Sequence, residues 1–450
     1  MKSQSIFFVV ATMAKVNFIL RSGLLELLQK RGYQIVVVSP FSDEPWFKQE
    51  FGAKGFYLEK FYSKGRMSRI INNLRGEALK IQHPELQQTA KIYAYLKRRY
   101  LSQKAEKNIE RTKIFLRLIP ERLRGSPVWW DSVERLLIHR RAYRKLFKKY
   151  QPKAAVVEDP GTDLSIYCAR NRVPVVFVDL NLDAFTTRFI SHFRPLAAIG
   201  VTSKIMREEV RSFHQLAENK IAVTGMLRTD FYFKNFKPIS REDFFKTIGA
   251  DPRKKLVTFG AKTPLLFPHN GDIIRDLINA ARENRFGVPV QIFVRFDPNH
   301  DPADYPELLP HLLFERSEEK PHREHIANLL YHSDVVISVS SSFSNEACLV
   351  NTPTMWIGFD GDTRYEKYED SYRISYDIPM IQRLLKTKGI PLVESKDEML
   401  GLVKEYLTDS SIHSEERQNF IKQEYEVIDG SVAERTARLI EKVIHEKDSS

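Results

Sequence analysis

The chain has 450 residues, 42% of them hydrophobic and 28% charged, and a net charge of +13. At roughly 150 residues per domain it should hold two or three domains, and it is too apolar for a disordered chain. Two cysteines, Cys168 and Cys348, exclude a disulfide framework or a thiolate zinc cluster and point to a reducing compartment, and no apolar run approaches the ~18 residues of a membrane-spanning helix.

The run Ile6-Phe7-Phe8-Val9-Val10-Ala11 after Met1-Lys2 has the outline of a signal peptide. It is short, however, Lys15 follows closely, and an amphipathic segment continues to Gln29, so it reads as a first strand buried on both faces. Phe18-Ile19-Leu20, Leu24-Leu25 and Leu27-Leu28 have helical spacing that ends at Arg31-Gly32. Ile35-Val36-Val37-Val38 is a second strand, stopped by Ser39-Pro40. Strand, helix and strand in so short a span form a βαβ unit and imply a parallel sheet.

Residues 63–150 break this rhythm with a helix-rich, basic stretch. Between Phe61 and Tyr150 there are 23 Lys and Arg against 7 Asp and Glu, so this fifth of the chain carries +16 and the remainder is close to neutral. So concentrated a field faces an anionic partner, such as headgroups, polyphosphate or nucleic acid, unless it is only a solvated helical face. The aromatics threaded through it (Tyr93, Tyr95, Tyr100, Phe115, Trp129, Trp130, Tyr143, Phe147) read mostly as the buried stripe of helices, with a membrane-facing minority as the alternative.

Alternation resumes at Ala154-Ala155-Val156-Val157, with a strand at Val175 to Val178 and further βα steps through Ala197 to Val201 and Ile221 to Gly225. The polar, proline-containing stretch from Lys234 to Arg253 reads as a boundary, and Lys255 to Gly260 starts a second series with strands at Val290 to Val294, Val335 to Val339 and Thr354 to Ile357. A charged helix closes the chain from about Ser431 to Lys447. The expected architecture is α/β: a first Rossmann-like domain over 1–233 with the basic helical insertion at 63–150, a second over 254–430, and a C-terminal helix over 431–450.

Ligands in such sheets sit at strand carboxyl ends and helix N-termini. The richest of these follows the Val335 strand: Ser340, Ser341, Ser342 and Ser344 can offer hydroxyl and N–H donors to a diphosphate, and Glu346 a carboxylate to a ribose. A serine-rich helix cap alone would account for the same residues. A second site, expected at the opposite corner of the same sheet, is Gly260-Ala261-Lys262-Thr263. There Gly260 permits close backbone approach and Lys262 can pair with phosphate. His269 follows on the next loop, and Arg295 at another strand end suits a bidentate phosphate contact, or a salt bridge to Asp297 or Asp301. Asp360-Gly361-Asp362 reads as a loop turn rather than a metal site.

Taken in order, Val257-Thr258-Phe259 through Phe267-Pro268-His269, Val294-Arg295 through Pro298, Ser340-Ser341-Ser342 through Glu346-Ala347 to Pro353, and Gly430-Ser431 with Glu434-Arg435 resemble the GT-B glycosyltransferases. The likeness is to the bacterial surface-carbohydrate branch, which also resembles CDP-glycerol glycerophosphotransferases. In the first half, Asp179 to Asp183 followed by Thr186-Thr187-Arg188 looks like that branch's Trp-Asp-Asn-Leu-Thr-type loop without its tryptophan, and Gly225 to Asp230 looks like its Gly-x-x-x-x-Asp turn. Where the branch has Arg-x-His-Pro the chain has Arg295-Phe296-Asp297-Pro298 with His300 displaced, and the His-Arg-x-Glu-Asn segment of the sugar-nucleotide 2-epimerases is missing.

The resemblance implies two Rossmann-like domains facing a cleft, with a nucleotide-diphosphate sugar in the second and the acceptor in the first. Lys262, Arg295 and the Ser340–Ser344 helix start would stabilise the departing diphosphate, with no metal and no cofactor other than the donor substrate. The base that takes the acceptor proton is sought among Asp183, Asp159 and Glu158, and His269 is placed against the donor at the reacting centre. The acceptor is expected to be a surface glycan or lipid-linked, and the protein cytoplasmic, held peripherally at the inner face of the cell membrane by its basic segment. A CDP-polyol phosphotransferase and a non-catalytic GT-B-like protein stay open beside this. Nucleic-acid binding lacks a recognition motif and is set aside.

Overall fold

The computed structural model describes residues 4–62, 140–157, 161–180, 182, 196–214, 216–264, 266–298, 300–316, 323–362, 368 and 371–448, with short pieces between 70 and 133. These divide into two compact units, one reaching Lys234 and rejoined by the chain from Tyr425 onward, the other spanning Asn235–Glu424.

The first unit holds β1 (Ser5–Val9), β2 (Gln34–Ser39), β3 (Tyr57–Lys60), β4 (Ala154–Val157), β5 (Val175–Val178), β6 (Ala198–Val201) and β7 (Ile221–Val223). They lie in the order β3-β2-β1-β4-β5-β6-β7 with every pair parallel. The second unit holds β8 (Lys255–Ala261), β9 (Val290–Phe296), β10 (Leu313–Arg316), β11 (Val335–Ser338), β12 (Thr354–Ile357) and β13 (Leu392–Val393), in the order β10-β9-β8-β11-β12-β13 and again all parallel. Both sheets reverse direction beside their first strand, at β1/β4 and at β8/β11. Those are the points where helices leave on opposite faces and open a crevice at the strand ends.

The unbroken apolar runs follow from burial on both faces. Ile6 and Phe8 of β1 join Val37, Val156 and the C-terminal helix, while Phe7 and Val9 join Val36, Ala155 and Tyr143 on the other face. The C-terminal helix Val432–Asp448 is therefore part of the first unit's core, through Val432, Ala437, Ile440 and Ile444. The motif from Gly225 to Asp230 explains its seat. The buried Asp230 carboxylate accepts the Val432 and Ala433 backbone N–H groups at 2.9 and 2.8 Å, and Arg435 donates to the Thr224 carbonyl at 2.9 Å. Gly225 (φ +88°) has no room for a Cβ, which would stand 2.9 Å from Val432 Cγ2.

Two readings are adjusted. The first helix is broken, a π-helical Val16–Leu20 being followed by Leu24–Lys30 after Gly23 at φ +82°. The stretch read as a boundary carries the helix Arg241–Ile248, capped by Ser240, whose Phe244 and Phe245 pack on Leu256 and Phe293. In the basic segment, the helix Arg140–Tyr150 buries Tyr143, Leu146 and Tyr150 against β1 and β3 neighbours, and Trp130 packs with Ile71, Leu74 and Leu116. These aromatics are core residues; Tyr93, Tyr95, Tyr100 and Phe115 lie outside the described residues. Both cysteines are buried and unbridged.

Candidate functional site

β8 and β11 are hydrogen-bonded neighbours with Gly260 opposite Ser338, so the two loops expected at opposite corners of the sheet lie side by side at its reversal point. Lys262, just past β8, closes the gap. Its ammonium donates to the Val339 carbonyl at 3.0 Å and to Ser340 Oγ at 2.6 Å. Burial pushes this ammonium down to about 8, against a smaller upward pull from Asp297. The loop that carries it is clamped by Asn270, fully buried, whose amide exchanges hydrogen bonds with the Lys262 backbone at 3.0 and 2.9 Å.

Ser340 adopts φ +38°, a left-handed conformation that costs a non-glycine residue on the order of 1 kcal/mol and recurs at functional sites. Its N–H donates to the Tyr376 hydroxyl at 3.2 Å, and that hydroxyl donates to the Ile357 carbonyl at the end of β12 at 2.7 Å. Burial drives the Tyr376 phenol well above its ordinary range, so it stays protonated. Ser341 caps the helix Ser342–Leu349 by accepting the Phe343 N–H at 3.2 Å, and Ser342 is exposed at its first position. Half-buried Glu346 follows one turn on.

Two expected roles change. Gly260 is needed for packing: a Cβ there would lie 2.9 Å from the Phe343 ring, which already occupies the approach reserved for a ligand. Ser344 is fully buried and shares a 2.7 Å hydrogen bond with Ser338, stitching helix to strand instead of facing outward. Thr263 serves the loop itself, its carbonyl accepting the Leu266 and Phe267 N–H groups. Asp360-Gly361-Asp362 forms a turn with Gly361 at φ +67°, and the Asp360 carboxylate accepts the Tyr372 N–H at 2.5 Å.

His269 stands at the N-cap of the helix Asn270–Arg282, 3% exposed, with Nδ1 3.9 Å from Asp272 and Nε2 4.0 Å from Asp360. Burial pulls its pKa below the ordinary range, partly opposed by these two carboxylates. The displaced His300 is buried too, bonded through Nε2 to the Tyr305 hydroxyl at 2.9 Å; the Tyr305 ring fills the space beside Gly271 at the start of the same helix. Arg295 is a correction. Its guanidinium pairs with Glu315, its register partner on β10, and Glu315 also holds His325 Nε2 at 2.6 Å. Both Arg295 and Glu315 are buried, so the guanidinium expected to hold phosphate is committed to a carboxylate of its own sheet.

In the first unit, Asp179 is buried directly after β5, and Thr162 caps the helix Asp163–Arg170 by accepting the Ser165 N–H at 3.1 Å. Glu158, Asp159 and Asp183, the candidate bases, and Thr186, Thr187 and Arg188 lie outside the described residues. Asn270 and Tyr376 were not singled out from sequence. Asn270 adjoins a motif that was, whereas Tyr376 lies 36 residues from Ser340 with no local signal.

At the β8/β11 reversal, then, one cation, several hydroxyls and a helix start converge, a set suited to an anion. No protein-family model matches the chain, and no curated protein sequence does. Solved structures do. A putative UDP-N-acetylglucosamine 2-epimerase from Listeria monocytogenes matches with a TM-score of 0.57 at 11% identity, over 97% of this chain and 95% of that one. A glycosyltransferase from Rickettsia africae matches with a TM-score of 0.54 at 10% identity, over 99% of both chains. The wall teichoic acid polymerase TagF with CDPG matches with a TM-score of 0.54 at 12% identity, over 99% of this chain and 89% of that one. The fold is GT-B: two Rossmann-like units, each with its own parallel sheet.

Proposed function

We propose that the chain is a GT-B glycosyltransferase that moves a sugar from a nucleotide-diphosphate donor to a surface-glycan or lipid-linked acceptor, without a metal. The observation that carries this reading is the convergence of Lys262 and Ser340 at the β8/β11 reversal. A nucleoside diphosphate leaves with its charge concentrated on two phosphates. An ammonium in a low-dielectric site, with the Ser340–Ser342 donors beside it, stabilises that charge as it develops. On this reading Glu346 receives the ribose hydroxyls and His269 meets the donor at the reacting end, while the base is drawn from Asp183, Asp159 or Glu158. The similarity to glycosyltransferase and teichoic acid polymerase structures supports the transferase class and the surface-polymer acceptor.

A second reading has its own observation: UDP-N-acetylglucosamine 2-epimerases are among the matching folds. Product analysis separates the two. Incubated with UDP-, GDP-, ADP- and CDP-linked donors and a membrane-derived acceptor fraction, the protein should release one nucleoside diphosphate in an acceptor-dependent way. Return of an altered nucleotide sugar without release would establish the epimerase, and release of CMP from a CDP-polyol would establish the phosphotransferase.

The basic segment is proposed to hold the protein peripherally at an anionic cytoplasmic leaflet. Among the described residues no helix is long and apolar enough to cross a membrane, and the helix Arg140–Tyr150 exposes Arg144, Lys145, Lys148 and Lys149. Near such a surface each basic side chain contributes about 1 kcal/mol. The protein should float with vesicles containing anionic lipid and not with neutral ones, and equal partitioning would contradict the assignment.

A further inference from the structure

Lys262 and Ser340 approach each other from two strand ends, but a third strand end sets the geometry of their meeting. Tyr376, 2% exposed, reaches the site from the turn after Tyr372–Ser375, its ring near Trp356 of β12 and near Tyr372. Its hydroxyl has one donor and one acceptor role, and both are taken: it donates to the Ile357 carbonyl of β12 and accepts the Ser340 N–H. Ser340 is the residue held in the left-handed region, and Ser340 Oγ is the group that receives the Lys262 ammonium. We propose that Tyr376 is a positioning residue, its hydroxyl fixing Ser340 in the left-handed conformation that turns β11 into the helix start and brings Ser340 Oγ to Lys262 for diphosphate binding. This rests on the donor-site reading above.

The physical reason is a competition within one residue. Serine prefers negative φ, and an N–H bond to a rigid, buried phenol opposes that preference. Tyr376→Phe keeps the ring and deletes both hydroxyl bonds. Ser340 then relaxes, and the turn and its hydroxyl move off Lys262. Glycine has no such preference and holds positive φ unaided. The substitution Ser340→Gly therefore removes the need for Tyr376, whatever its own effect on affinity.

The test is a double-mutant cycle on the full chain: wild type, Tyr376→Phe, Ser340→Gly and the pair, each titrated by calorimetry with UDP, GDP, CDP and ADP. In the Ser340 background, Tyr376→Phe should weaken the best nucleotide about tenfold, the scale of a lost buried hydrogen bond. In the Ser340→Gly background the same change should cost about twofold or less. Equal losses in both backgrounds, or no loss in the first, would overturn the proposal. Should Tyr376→Phe fail to fold, Ser340→Thr takes its place; it keeps the hydroxyl, but a β-branched residue strongly disfavours this φ, so binding should be lost with the fold kept, and undiminished binding would overturn the proposal. Wild-type titration by itself judges the donor-site reading. If it binds none of the four nucleotides, the cycle is read in melting temperature, where Tyr376→Phe should lower Tm less in the Ser340→Gly background, and an equal lowering refutes the positioning role.

Discussion

Replacing Lys262 by methionine should weaken nucleoside-diphosphate binding by about 10- to 100-fold, the range expected when a charge-assisted hydrogen bond to phosphate is lost. Methionine matches the lysine stem in length and removes a cation that burial already disfavours, so the melting temperature should move by no more than about 4 °C. The pH dependence carries a sharper signature. With the free ammonium titrating at about 8, affinity should fall as pH rises past 8, because the neutral amine no longer answers the phosphate charge. The contribution of Lys262 to stability moves the opposite way. The folded state holds this proton less tightly than the unfolded chain, whose lysine titrates near 10.5, so Lys262 favours folding progressively more between about pH 8 and 10.5. Affinity that falls over this window in the wild type and not in the methionine variant, with wild-type stability rising relative to that of the variant, would identify Lys262 as the group responsible.

The second large effect lies in the other unit. Asp230→Ala should destabilise that unit by about 3 kcal/mol, since it strands the Val432 and Ala433 N–H groups at a buried helix start, each worth about 1–3 kcal/mol when left unpaired. Asp230→Asn keeps one acceptor oxygen and should cost roughly half as much. Urea unfolding gives the magnitude. Hydrogen exchange should place the loss in the helix Val432–Asp448, whose Ile440 and Ile444 anchor one face of the first sheet. Nucleotide affinity should be unchanged, because Lys262, Ser340 and the rest of the proposed donor site lie within the second unit. A variant that lost binding while keeping its stability would return the Gly225–Asp230 turn to the chemistry.

Most of the scaffold was legible because parallel strands covered on both faces need unbroken apolar runs. Ala154–Val157, Val175–Val178 and Thr354–Ile357 stand where those runs stand. The strands that escaped notice are at sheet edges: Tyr57–Lys60 and Leu313–Arg316 each mix apolar and charged residues, and Leu392–Val393 is only two residues long. Edge strands need less apolar surface and so leave a weaker pattern. The reach of the C-terminal helix back to the first sheet, and the pairing of Arg31 with Glu434 and Glu441, depend on contacts about 400 residues apart that no local pattern encodes.

The site was half legible for a similar reason. Hydroxyls after β11 and a lysine after β8 are visible as residue types at strand ends, but strand order decides that these ends are neighbours and not opposite corners. Residue type also misled. Arg295 suited phosphate in sequence, yet Glu315 stands at its register position on the adjacent strand and takes its charge. Gly260 suggested a ligand's approach, and Phe343 from the helix after β11 fills that space. Tyr376 contributes through one hydroxyl whose meaning depends on a backbone angle 36 residues away.

The most direct measurement is a thermal-shift titration of wild type and Lys262→Met with UDP, GDP, CDP, ADP and CMP at pH 7. Bound ligand stabilises by RT ln(1 + [L]/Kd), about 2.7 kcal/mol at a hundredfold excess over Kd. One nucleoside diphosphate should raise the melting temperature of the wild type clearly, CMP should do so less, and the shift should largely vanish in the variant. No shift with any nucleotide, or the same shift in both proteins, would contradict the assignment of the β8/β11 reversal as a donor site.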